Sequence, residues 1–136
     1  MLPIPTQNGL QFEINPEDFT AKIVSSSEAN SDIFIPRSIN HQSKEYSIIS
    51  INENSFSNND KIKSIKFAED SLLTVIDKKA FSNSSIESVE IPPSVTLIGE
   101  AAFQYCYNLK SIKIPENSNL LTIDKEAFSR CSIDSI

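Results

Sequence analysis

The sequence is poor in the residue types that many catalytic and cofactor-binding sites require. It contains only two glycines, Gly9 and Gly99, so a glycine-rich loop that cradles a phosphate group is excluded. His41 is the single histidine, and no serine or cysteine motif is built around it, so we interpret it as a solvated loop residue. The acidic residues are distributed by repeat position along the chain, and this pattern does not predict a cluster of carboxylates in a cleft. We therefore expect no catalytic site, no cofactor and no metal.

Three further absences bear on the partners and on the localisation. No apolar run approaches the roughly 18 residues that a membrane span needs, so we expect no membrane insertion by this segment. Residues 1–6 lack the basic region and the long apolar core of a signal peptide, and none is expected there. The formal net charge is -6 and no continuous basic stripe is present, so nucleic acid is not expected to bind.

A repeat of about 24 residues dominates what the sequence does contain. Phenylalanine recurs every 22 to 25 residues, and an isoleucine lies five residues before each phenylalanine. The phenylalanines are Phe56, Phe81, Phe103 and Phe128, and the isoleucines are Ile51, Ile76, Ile98 and Ile123. A unit of this length cannot bury its apolar face alone and stacks on its neighbours. The repeat therefore predicts a solenoid in the size range of leucine-rich repeats.

Each unit is predicted to contain a short strand and a tight turn. Apolar and polar residues alternate from Ile112 to Ile114, which favours a strand with one buried face. Pro92 and Pro115 follow such strands and end them, because proline has no amide hydrogen. Later in each unit, the residue after the isoleucine is of a type that tolerates left-handed backbone, so a left-handed turn is predicted there. These turn residues are Asn52, Asp77, Gly99 and Asp124.

The combined pattern resembles that of one known family. The motifs Ile-x-Ile-Pro, Val-x-x-Ile-Gly and Ala-Phe-x-x-Cys are similar to those of the BspA-like leucine-rich repeats, found in surface proteins of mucosal bacteria and protozoan parasites. The resemblance covers roughly residues 33–136. It implies a curved solenoid with a parallel β-sheet on its concave side and short non-strand or 3-10 segments on the other side. It also implies a protein at the cell surface or secreted, used for adhesion and protein recognition.

The chain is predicted to form one structural domain with two parts. Residues 1–32 are predicted to be an N-terminal cap, because Asn15-Pro-Glu-Asp has turn chemistry between two apolar segments and indicates a β-hairpin. Residues 33–136 are predicted to be a repeat array of about four units. The first unit contains an insertion at 38–47, predicted to be a loop, and the last unit is truncated. The truncation indicates either a fragment of a longer array or an edge that another molecule covers.

Charges alternate in sign between equivalent positions of successive units. One row is Lys63, Glu87, Lys110 and Asp134; the next is Lys66, Glu90 and Lys113; the third is Glu53, Lys78, Glu100 and Lys125. Equivalent residues of neighbouring strands lie about 4.8 Å apart, so each row is a candidate ladder of opposite charges that sets the stacking register. Alternatively, the lysines and glutamates of the first two rows form, together with the serines between them, a mixed-charge surface for docking a partner. Those serines are Ser64, Ser88, Ser111 and Ser135.

The cysteines and tyrosines occupy repeat positions as well. Cys106 and Cys131 each lie three residues after a repeat phenylalanine, where a side chain points into the core. Buried free thiols are the favoured interpretation, and a disulfide between stacked units stays open. Tyr105 and Tyr107 flank Cys106 and are predicted to point outward, which makes them a second candidate for contacting a partner.

These observations predict a non-enzymatic protein-binding module of a BspA-like cell-surface adhesin or antigen. Its ligand would be a protein, such as a host extracellular matrix or cell-surface protein. The alternative hypothesis is a structural repeat element that self-associates through its uncapped C-terminal edge, at Ile133 and Ile136.

Overall fold

A computed structural model describes residues 2–29 and 31–133 of the chain. The described residues form twelve β-strands, and no helix occurs among them. The strands are β1 (Leu2–Gln7), β2 (Leu10–Asn15), β3 (Thr20–Ser25), β4 (Ser31–Ile35), β5 (Ser38–His41), β6 (Lys44–Ile51), β7 (Ile62–Phe67), β8 (Val75–Ile76), β9 (Ser88–Glu90), β10 (Leu97–Ile98), β11 (Ser111–Lys113) and β12 (Thr122–Ile123).

One parallel sheet collects the Ile-x-Ile strand of each unit. Its strand order is β4, β7, β9, β11, and we call it the main sheet. Ile33, Ile65, Val89 and Ile112 lie side by side across it and are all buried. The alternation seen in the sequence therefore produces strands with one inward side chain between two outward ones, and the predicted parallel sheet is confirmed.

A second, narrower ladder runs along another side of the solenoid. The two-residue strands β8, β10 and β12 pair in parallel with one another, and β6 joins them to β3 of the N-terminal region. The repeat isoleucines Ile51, Ile76, Ile98 and Ile123 lie in one row of this ladder, and Ile23 of β3 extends it. This ladder is not predicted from the sequence. Turns complete each unit between the narrow ladder and the next strand of the main sheet.

The repeat phenylalanines form a continuous column inside the solenoid. Successive ring centroids are 4.7, 4.9 and 5.3 Å apart, and the planes differ by at most 13°. The chain can pass this closely because a small residue precedes each ring. Ala80 and Ala102 are fully buried, and their carbonyls accept hydrogen bonds of 2.7 Å from the amides of Phe56 and Phe81 in the preceding unit. Rings and backbone thus hold each unit to the next, as predicted for a solenoid.

The prediction of left-handed backbone directly after each isoleucine is wrong. Asp77 and its equivalents have ordinary φ values, and their amides donate to the isoleucine carbonyl of the preceding unit, as Asp77 does to Ile51 at 3.0 Å. The left-handed residues come two and six positions after Asp77 and its equivalents: Asn54, Lys79, Ala101 and Glu126, then Asn58, Asn83, Tyr105 and Arg130. Gly99 is needed for space, since a Cβ there would lie 2.8 Å from the Lys78 amide nitrogen.

The N-terminal cap is an antiparallel three-stranded sheet. The predicted hairpin around Asn15-Pro-Glu-Asp is confirmed as β2 and β3, and β1, which was not predicted, pairs with the outer side of β2. Asn59, which stands where later units have serine or cysteine, ties the cap to the array. Its amide group donates to the Ser26 and Ala29 carbonyls at 3.0 and 3.3 Å. The domain boundary predicted after residue 32 falls inside β4.

The sequence predicted a loop for the insertion at 38–47, and this prediction is wrong. Its residues form the antiparallel strand β5 and the start of β6, joined at Gln42 and Ser43, which have φ values of 50° and 65°. Positive φ at both turn residues is the geometry that matches the twist of a two-residue hairpin. His41 thus lies at a strand end. Tyr46 is buried within this hairpin, with its ring centroid 5.8 Å from that of Phe19.

Candidate protein-interaction surface

The outer face of the main sheet carries two rows of side chains. The inward residues of the strands are apolar, so the residues on either side of them point outward. We call one row the serine row, which consists of Asp32, Ser64, Ser88 and Ser111, and the other the charged row, which consists of Phe34, Lys66, Glu90 and Lys113. Strand pairing brings the members of each row into register, so the repeat converts a sequence period into a regular array of contacts.

The charged row contains one ion pair. The Lys113 Nζ lies 3.7 Å from the Glu90 Oε1, and the two side chains are 72% and 61% exposed. Lys66 makes no ion pair with another described residue. An exposed pair contributes about 0 to 1 kcal/mol to the stability, so the row adds little to stacking. The strands of the row are in the register that the ladder hypothesis requires. Only one of the expected ion pairs between neighbouring strands is formed, so the ladder is incomplete.

The other two rows of alternating charge that the sequence predicted contain no ion pair within the described part of the chain. The side chains of Lys63, Glu87 and Lys110 are exposed, and only the backbones of these residues are joined. The Glu87 amide donates to the Lys63 carbonyl at 2.8 Å, and the Lys110 amide donates to the Glu87 carbonyl at 3.0 Å. Asp134 and Ser135 lie outside the described residues. The row formed by Glu53, Lys78, Glu100 and Lys125 is also exposed, and it lies in the turns after the narrow ladder.

A groove of about 610 Å³ borders the charged row at the ends of the main-sheet strands. Its apolar wall includes Phe67, Ala68, Pro92, Pro93 and Pro115. The prolines that end the strands therefore also shape the groove, because their rings project from fixed backbone. Six of the residues proposed from the sequence also line it: Ser64, Lys66, Ser88, Glu90, Ser111 and Lys113. Lys63, Glu87 and Lys110 lie outside the groove lining.

Phe34 belongs to this face but was not predicted from the sequence as a candidate binding residue. Phe34 is 53% exposed on β4 and lies beside Lys66 in the register of the sheet. The signal was present, because Ile33-Phe34-Ile35 repeats the alternation of the later strands. It was overlooked because the first unit carries an aromatic ring where later units carry charge.

The two tyrosines form a separate exposed pair. Tyr105 and Tyr107 point outward, and their ring centroids are 6.0 Å apart. Tyr105 has a φ of 62°, and its amide donates to the Ser129 carbonyl at 2.9 Å in the following unit. Neither residue lines the groove, so the structure does not bring this pair together with the main-sheet face.

The cysteines are free thiols in equivalent positions of adjacent units. Cys106 is buried and donates to the Phe81 carbonyl at 3.0 Å, and half-buried Cys131 donates to the Phe103 carbonyl at 3.0 Å. The neighbouring Cys131 thiol, together with burial, raises the pKa of the Cys106 thiol. The same interaction lowers the pKa of Cys131. The favoured interpretation of free, core-facing thiols agrees with this arrangement.

Sites of other kinds are not apparent in residues 2–29 and 31–133. No group of three or more histidine, cysteine, aspartate or glutamate side chains is arranged there to hold a metal ion. The same residues include no helix long and apolar enough to cross a membrane.

Comparison with known proteins places these features in context. A family described as "BspA type Leucine rich repeat region (6 copies)" matches residues 27–136. Among solved structures, the pneumococcal vaccine antigen PcpA is similar with a TM-score of 0.68 and 20% identity, over 95% of this chain and 42% of PcpA. A leucine-rich repeat protein from Bacteroides capillosus is similar with a TM-score of 0.58 and 21% identity, over 99% of this chain and 96% of that one. At these identities the structural likeness shows the fold. A comparison with curated proteins finds no similar sequence.

Proposed function

Because the chain belongs to the BspA-type leucine-rich repeat family, we propose that it is a non-enzymatic protein-binding module of a cell-surface protein and that the outer face of its main sheet is the binding surface. The observation that carries the proposal is the register of the charged row and the serine row beside a groove of about 610 Å³. This face combines apolar, charged and hydroxyl groups within one continuous area. Such a mixture is typical of surfaces that recognise proteins.

The mechanism is rigid presentation of repeated contacts. The outward side chains stand on strands that are hydrogen-bonded to their neighbours, on both sides for β7 and β9, so the backbone loses little conformational entropy when a partner binds. Each added unit contributes one more contact to each row. The affinity would therefore grow with the number of units that the partner spans.

The partner class we propose is a host extracellular matrix or cell-surface protein, which would make the parent protein an adhesin or a surface antigen. The likeness to a vaccine antigen supports display at the cell surface. The chain spans 42% of the length of that antigen, and adhesion by the whole protein is likewise part of the proposal.

The test compares binding of the purified chain to matrix proteins and intact epithelial cells with binding of two charge-matched variants. In the first variant, Lys63, Lys66, Lys110 and Lys113 are changed to glutamine. In the second variant, Lys78, Lys79, Lys125 and Arg130 are changed to glutamine; all four lie in turns away from the main sheet. We expect saturable binding that the first variant loses and the second retains. Equal loss in both folded variants would refute the choice of surface, and no binding by the parent chain would refute the proposed module.

A second candidate function is assembly through the last units of the array. Leu121 is 84% exposed beside the narrow strand β12, and Ile123 on that strand is exposed as well. Within the described residues, β11 and β12 each have a partner strand on one side. Of the two edge residues predicted to mediate self-association, Ile133 is half-buried and Ile136 lies outside the described residues. Concentration-dependent association, measured by sedimentation and abolished by Ile123→Lys, would support assembly. A monomer at all concentrations would refute it.

A further inference from the structure

We propose that the charged row binds one α-helix of the partner protein, whose contacting face carries an apolar, an acidic, a basic and an acidic residue in that order. The inference rests on the proposed function, because it specifies the partner for the same surface. Phe34 extends the row by one strand beyond Lys66 and adds an apolar position to the pattern.

The spacing of the row fits a helix. Neighbouring strands lie about 4.8 Å apart, so the row covers roughly 10 Å from Lys66 to Lys113 and roughly 14 Å from Phe34 to Lys113. Helical residues at i, i+3, i+7 and i+10 share one face and span about 15 Å at a rise of about 1.5 Å per residue. The two patterns therefore stay in step over four contacts.

An extended partner segment does not fit in the same way. Its side chains reach one face only every second residue, at intervals of about 6.8 Å. Laid along the row, such a segment would be out of step by roughly 4 Å at the second interval, which is most of one strand spacing. The regular spacing of the row therefore favours a helical partner over an extended one.

The order of charges defines which helix would be accepted. The row presents positive, negative and positive side chains, so a complementary helix presents glutamate, lysine and glutamate. A uniformly acidic helix would meet Glu90, and a uniformly basic helix would meet Lys66 and Lys113, so both are disfavoured by like-charge contacts. Lys66 is the strongest anchor, because it makes no ion pair with a described residue. The exposed pair of Glu90 and Lys113 can exchange partners at little cost.

The residues on both sides of the charged row are also compatible with a bound helix. Ser88 and Ser111 on one side are exposed, and their hydroxyl groups make no side-chain hydrogen bond within the part of the chain that is described. Phe67 and Pro93 on the other side belong to the apolar groove wall. A helix lying on the charged row would therefore have polar groups along one edge and apolar groups along the other.

The experiment uses three lactam-bridged helical peptides, titrated into the isotopically labelled chain and followed by NMR chemical shifts. The first carries leucine, glutamate, lysine and glutamate at i, i+3, i+7 and i+10. The second reverses the three charges, and the third has the composition of the first with its charges spread around the helix. We expect the first peptide to shift main-sheet resonances and the other two to bind at least roughly fivefold more weakly.

A charge-swap cycle tests the register. Lys66→Glu should weaken the first peptide and restore binding of a peptide whose first glutamate is replaced by lysine, while the matched control Lys78→Glu should do neither. Equal binding of all three peptides, no binding of the first peptide, or absence of rescue would overturn the helix inference. The cell and matrix assay separates the two claims: if binding there depends on the four main-sheet lysines while the peptides fail, the proposed function stands and the helical partner does not.

Discussion

Replacing Phe81 with alanine tests whether the column of stacked rings holds the units together. Phe81 is fully buried, and its ring lies 4.7 Å from that of Phe56 and 4.9 Å from that of Phe103. A buried phenylalanine changed to alanine lowers the free energy of unfolding by about 3 to 5 kcal/mol, and the loss of two ring contacts places Phe81 at the upper end of that range. Native domains have a total stability of about 5 to 15 kcal/mol, so the variant should lose at least about a third of it.

The assay is urea denaturation followed by far-ultraviolet circular dichroism, with two comparison variants. Phe128 is half-buried and stacks on Phe103 at 5.3 Å, so Phe128→Ala should lower the unfolding free energy by only about 1 to 2 kcal/mol. Leu121 is 84% exposed, and Leu121→Ala should change it by less than about 0.5 kcal/mol. If Phe81→Ala fails to fold, Phe81→Leu keeps most of the apolar volume and gives a measurable intermediate loss. An effect of Phe81→Ala below about 1 kcal/mol, or no greater than that of Phe128→Ala, would refute the reasoning.

Three further predictions concern single positions. Gly99→Ala should lower the unfolding free energy by about 1 to 3 kcal/mol, because the new Cβ would meet backbone of the preceding turn; an unchanged urea midpoint would contradict this. Asn59→Ala should cost about 1 to 3 kcal/mol, because buried carbonyls of the cap lose their donors, and hydrogen exchange should then rise first in β1 to β3; uniform exchange would contradict it. Iodoacetamide should alkylate native Cys131 well before Cys106, because Cys131 is more exposed and has the lowered pKa, as mass spectrometry of peptides can check; equal rates would be the contrary result.

The parts of the fold that could be predicted are those in which one residue type serves one purpose in every unit. The phenylalanine column and the buried row from Ile65 to Ile112 follow from apolar periodicity alone. The left-handed turns could not be found in this way, because Lys79 and Ala101 are not residue types that favour such backbone. Their conformation is imposed by hydrogen bonds to the next unit, such as the 3.0 Å bond from the Lys79 amide to the Glu100 carbonyl.

The candidate surface was predictable to a similar degree. Alternation along each strand identifies outward residues, and the repeat period aligns them in rows. The groove could not be predicted, because it depends on how the segments after Phe67, Ile91 and Ile114 turn away from the sheet. The hairpin at 38–47 could not be predicted, because its turn, Gln42-Ser43, lacks the asparagine or glycine that usually occupies turn positions with positive φ.

The stacking of equivalent units has a consequence for how the proposed binding surface would change during evolution. A duplication or deletion of one whole unit preserves ring stacking, backbone pairing and the buried isoleucine row, because each unit contacts only its neighbours. It does not preserve the order of charges. Removing the unit that contains Glu90 would bring Lys66 beside Lys113, and copying it would place two negative groups side by side. Recombination between repeats would therefore change ligand preference in single steps without requiring a new fold.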